Sequence, residues 1–116
     1  MKNCIVNILG TDYRLEYRDP ENDKTLEDND GYCDPTTKLM VVIGKYRNPE
    51  ETTNVGDLES YQKKVARHEI IHAFHLESGI HESFCFRSDG FPESITDWFA
   101  VQGPKIYEVW KEAGAL

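Results

Sequence analysis

Basic charge, sulfur and long apolar runs are all scarce in this sequence, and each shortage excludes something. Against 21 Asp and Glu there are 13 Lys and Arg, a formal net charge of −8. No basic stripe exists to displace counterions from a phosphate backbone, so no nucleic-acid partner is expected. The three cysteines, Cys4, Cys33 and Cys85, are odd in number and form no CxxC pair. That favours reduced thiols in a cytoplasmic protein over a disulfide scaffold. No apolar run is long enough to span a bilayer. The first residues carry one Lys and a short apolar run broken by Asn7, too short and too polar for a secretory signal. The expectation is a cytoplasmic protein with no membrane partner. Repeats and low-complexity tracts are also absent.

What is present suffices for one domain, spanning 1–116, with one core. Residues 3–9 are β-branched and apolar, and Gly10-Thr11-Asp12 reads as a turn. Tyr13, Leu15 and Tyr17 alternate with charged residues, the cleanest half-buried strand in the chain. A polar, acidic loop over 19–30 follows. Tyr32-Cys33 begins a short strand, Asp34-Pro35-Thr36-Thr37 makes a turn, and 38–43 is a buried strand ended by Gly44. Asp28-Asn29-Asp30-Gly31 is no calcium loop: with Gly31 on the required glycine, Leu26 and Thr37 fall where ligands belong. The strand-rich part is thus 1–44. A helix spans 57–79 and helices occupy 92–114, broken at Gly103-Pro104, with Ile106, Val109, Trp110 and Ala113 as the last apolar stripe. Strands first and helices after predict an α+β fold, a small antiparallel or mixed sheet packed on the central helix.

That helix carries His68-Glu69-Ile70-Ile71-His72. Asp57 is placed to cap it, Glu59 sits in its first turn, and Gly79 supplies the stop. Two histidines four residues apart on a helix point the same way, so both imidazoles can close on one metal ion. Glu69 lies beside them as general base for a metal-bound water. Leu58, Tyr61, Val65, His68, His72 and Leu76 share one side, so both histidines are expected on a buried apolar stripe. Imidazole ligands suit zinc. A catalytic zinc takes three protein ligands and leaves one position for water. Downstream, Pro92 opens a helix in which Glu93 and Asp97 lie one turn apart. Glu93 can bind the metal while Asp97 accepts a hydrogen bond from a ligand histidine. Asp97 as ligand with Glu93 as a cap, and His81 swinging in from the loop, stay open. His75 is rotated away from the shared direction of His68 and His72 and is expected at the surface or core edge. Trp98, Phe99 and Trp110 read as core.

HExxH followed by a helix carrying ExxxD resembles the gluzincin branch of zinc metallopeptidases, of which thermolysin is the familiar member. The wider phrase, from Tyr61 through Ile80 and on to Asp97-Trp98-Phe99, is similar to small zincin-like proteins of bacteriophages and prophages. The likeness covers the C-terminal half of the chain. It implies a minimal zincin-like fold and a zinc-dependent metallopeptidase acting on a peptide or protein substrate. By position, His68, His72 and Glu93 would ligate Zn2+, Glu69 would activate the zinc-bound water, and Asp97 would support His68. It also implies a sheet edge near the metal that pairs with extended substrate, for which 38–43 is the candidate. One departure stands out. Larger gluzincins use a further C-terminal lobe to supply a His or Tyr to the oxyanion, and this sequence stops soon after Asp97. Tyr61, His81, Arg87 and Tyr107 are available donors, none singled out by spacing. The metzincin pattern fits poorly, since His75 stands where Gly is needed and Ser78 where His is needed. The alternative is a catalytically inactive zinc-binding regulatory or interaction module of phage origin; weaker still is a metal-free structural protein.

Overall fold

The chain opens with a β-branched run and a run alternating apolar with charged residues, which close into a hairpin. A computed structural model describes residues 1–83 and 93–116, and within them all side chains but those of Glu82, Ser83, Glu93, Ser94, Thr96, Asp97 and Ala100. Strand β1 (Cys4–Ile8) pairs antiparallel with β2 (Thr11–Arg18), with Ile8 opposite Thr11. The turn is therefore Leu9-Gly10, a step earlier than Gly10-Thr11-Asp12. Both turn residues have positive φ, 50° and 97°, as a two-residue hairpin requires to match strand twist. Asn7 sets it: Oδ1 accepts from the Gly10 N–H at 2.8 Å, and Nδ2 donates to Asp12 at 2.9 Å.

The acidic stretch after β2 is no open loop. It folds into two short 3-10 turns, Pro20–Asn22 and Lys24–Glu27, and buries Leu26 completely. The chain then forms β3 (Gly31–Asp34) and returns through β4 (Leu39–Ile43). The order is β1-β2-β4-β3, with β4 parallel to β2 and antiparallel to β3. The expected edge at 38–43 is thus interior, and the edge beside it is β3. Physically, Leu39-Met40-Val41-Val42-Ile43 is apolar at every position, the signature of a strand covered on both faces. Met40 and Val42 face the main core, while Leu39, Val41 and Ile43 pack with Leu26 and Tyr32 on the other side.

Helix α1 (Leu58–Glu77) begins at Asp57, whose carboxylate accepts from the Ser60 N–H at 3.0 Å. A short helix α2 (Ile80–Ser83) follows, then α3 (Glu93–Glu112). Gly103-Pro104 does not divide α3. Proline inside a helix costs about 3 kcal/mol, but α3 buries Ile106 and Val109 in the main core, at roughly 1.5–3 kcal/mol each. Packing therefore carries the helix through the breaker, and the C-terminal helices expected in 92–114 are one.

The sheet face bearing Val6, Ile8, Tyr13, Leu15, Met40 and Val42 packs on α1 and α3. The fold is α+β with a mixed sheet against the HExxH helix, as the element order predicts. The end of α1 is tied to the sheet by Glu77, which accepts from Tyr13 Oη at 2.7 Å and from Lys38 Nζ at 2.8 Å. Those two bonds, Lys38 first, hold its carboxyl below the usual range. Cys4 and Cys33 are free thiols; Cys85 lies outside the described residues.

Candidate metal centre

Helix α1 meets the core through Gln62, Val65, Ala66, Glu69, Ile70, Ala73 and Phe74. His68 and His72 lie on the flank beside this face and are exposed, which corrects the expectation that they sit on the buried stripe. Their rings still converge. Nε2 of His68 and Nε2 of His72 are 3.0 Å apart, and the rings meet edge to face at 4.7 Å. Two nitrogens bound tetrahedrally to one zinc, each at about 2.0–2.1 Å, lie about 3.3 Å apart, so the pair fits zinc after a small opening. Partial burial, then the neighbouring His68, His75 and His81, pushes the pKa of His72 down. That favours the neutral ring a metal binds.

Glu69 is the ionisable group α1 buries: it is 5% exposed, and burial pushes its pKa up to about 7. No hydrogen-bond donor among the described residues reaches it. The space around it is set by Gly31 on β3. A Cβ there would lie 2.6 Å from Val65 Cγ1, 2.8 Å from the Val41 carbonyl and 3.3 Å from Glu69 Oε1. Only glycine lets the edge strand come this close to the helix.

A groove runs between α1 and β3 past both groups. One part, of about 240 Å³, lies toward Asp30, Tyr61 and Lys64. The other, of about 460 Å³, lies toward Cys33, Pro35, Leu76 and His81. Asn29, Gly31, His68 and Glu69 line both. Along β3 the Ile43 N–H donates to the Asp30 carbonyl at 2.9 Å. Antiparallel alternation then places Tyr32 in the next hydrogen-bonded pair with β4. The amides and carbonyls of Gly31 and Cys33 consequently face away from β4, along the edge. The segment leading into β3 is pinned by Arg47, which donates to the carbonyls of Leu26 (2.7 Å) and Asn29 (2.8 Å) and to Asp30 (2.7 Å). Tyr61 also donates its hydroxyl to Asp30. That bond, with Arg47, holds the Asp30 carboxyl below its usual range. Tyr61, one of the candidate oxyanion donors, is therefore committed elsewhere.

The structure thus brings together His68, His72 and Glu69. Among the described residues no third His, Cys, Asp or Glu completes a metal-binding group with the two rings. Glu93 and Asp97 fall in the first turns of α3, but their side chains lie outside the described residues, as do Pro92 and Arg87. Two features carry no obvious sequence signal: the close approach at Gly31 and the docking of Trp98. The Trp98 Nε1–H donates to Ser78 Oγ at 3.0 Å, and its ring packs on His75 at 5.0 Å. Comparison with protein-family models, curated proteins and solved structures finds no match to this chain. Among the described residues, no helix is long and apolar enough to cross a membrane.

Proposed function

We propose that this chain is a zinc-dependent hydrolase, and specifically a peptidase. The observation that carries the reading is the 3.0 Å approach of the His68 and His72 Nε2 atoms, with buried Glu69 opening onto the same groove. His68 and His72 would hold the ion, with a carboxylate from the start of α3, Glu93 or Asp97, as third ligand. When bound there, zinc acidifies water and polarises a carbonyl. Glu69 accepts the proton of the attacking water and passes it to the leaving amine. The outward main-chain groups of Gly31 and Cys33 pair with an extended peptide and lay its scissile bond across the histidines.

Glu69→Gln tests this. The change keeps size and removes the base, so bound zinc should stay at the parent level while turnover of a generic protein substrate falls by about 100-fold or more. Undiminished hydrolysis would remove Glu69 from the mechanism. Full zinc occupancy with no turnover by the parent chain would instead favour a zinc-binding module without catalysis.

A further inference from the structure

Resting on the zinc reading above, we propose that His75 and Trp98 are positioning residues, which together hold the His72 imidazole and the start of α3 in the geometry zinc requires. His72 is exposed, so the core does not set its ring. On its flank the His75 ring meets it edge to face, 6.1 Å between centroids and 84° between planes. The Trp98 indole backs His75 at 5.0 Å and is itself fixed by its hydrogen bond to Ser78, the residue that ends α1. Four rings, His68, His72, His75 and Trp98, thus form a continuous row. Three belong to α1 and the last is contributed by α3.

The row acts at two points. Rings packed edge to face resist rotation, so His75 limits the rotamers His72 can take. A ligand held in place before the metal arrives loses less freedom on binding. Trp98 also follows Asp97 directly and lies five residues beyond Glu93. Its anchorage to Ser78 therefore sets how the first turns of α3, which carry both candidate carboxylates, sit against α1. Core filling alone explains neither the hydrogen bond to the residue capping α1 nor the ring contact with a residue three positions from a ligand.

The test measures Zn2+ affinity of the full chain by competition with a chromophoric chelator, beside the melting temperature of the metal-free protein. His75→Leu should weaken zinc binding by about 10- to 100-fold and alter the visible spectrum of the Co2+-loaded protein, with little change in metal-free melting. His75→Phe, which keeps a ring, should recover most of the affinity. Ser78→Ala should weaken binding in the same direction by removing only the anchor. In a Trp110→Phe background, zinc addition should shift Trp98 emission. Unchanged affinity in both His75→Leu and Ser78→Ala overturns the proposal, as does saturated zinc with an unmoved Trp98 signal. Should His75→Leu fail to fold, Ser78→Ala and the emission titration decide. A parent chain that binds no zinc overturns the zinc reading and this one together. It is told apart because no variant then has an affinity to lose.

Discussion

Glu69 and Gly31 face each other across the groove, and neither makes sense alone. A carboxylate buried with no described donor is costly unless its setting gives it work, and the setting exists only because residue 31 lacks a side chain. Gly31→Ala should therefore do two things. The added methyl meets Val65 Cγ1 at 2.6 Å and the Val41 carbonyl at 2.8 Å, and a backbone oxygen in a central strand cannot step aside. Overpacking of this kind costs about 1–3 kcal/mol, read as a lower urea midpoint at unchanged slope. Hydrolytic activity measured well below that midpoint should also fall, because relief of the clash moves β3 away from Glu69. The pairing of His68 with His72 was legible from the sequence, since four-residue spacing fixes direction on any helix. Which line of α1 would be buried was not. The stripe through Tyr61, His68 and His72 and the stripe through Ala66, Glu69, Ile70 and Ala73 are both helical in period. They differ by about one residue, a rotation of roughly 100°. The sheet, which receives Ile70 and Phe74, chooses between them.

Among the elements, β3 is short, half-buried and easily overlooked, yet it lines the groove beside the histidines. The strands themselves are legible in the sequence, but the likeness to zincins, with the general physics of strand addition, puts the pairing edge at 38–43. The second cover, Leu26 on the far face of β4, hides in a stretch whose composition reads as loop. Helix α3 shows the same limit: Gly103-Pro104 is a strong local stop, overridden by contacts that no local window contains. The edge assignment carries its own prediction. The Cys33 amide faces away from β4, so Cys33→Pro removes an outward donor without removing a ladder bond, a substitution edge strands tolerate. Zinc content should be unchanged, and KM for an extended peptide should rise about tenfold, near 1.4 kcal/mol. Kinetics identical to the parent would mean that substrate does not pair with this edge.

Over the whole molecule, the main core is built from the inner sheet face, α1 and α3, and the histidine pair stands outside it. Folding therefore does not depend on His68 or His72, and replacing exposed side chains costs within about 0.5 kcal/mol. That separation makes linkage clean to read. Anything that binds only the folded state stabilises it with the logarithm of the ratio of free ligand to Kd, about 2.7 kcal/mol at a hundredfold excess. For a chain of this size each kcal/mol moves the melting temperature by about 4 °C. Zinc at that excess should thus raise melting by about 10 °C over the chelator-treated protein. The double variant His68→Ala, His72→Ala should melt with the metal-free parent and show no zinc response. The two curves must be compared in one buffer, because the protein's net charge of −8 gives any dication some general affinity for its surface. Magnesium at equal concentration reports that background, since it prefers oxygen ligands and leaves imidazoles aside. A zinc response surviving the loss of both histidines, above the magnesium level, would place the ion elsewhere on the chain and detach Glu69 from any metal chemistry.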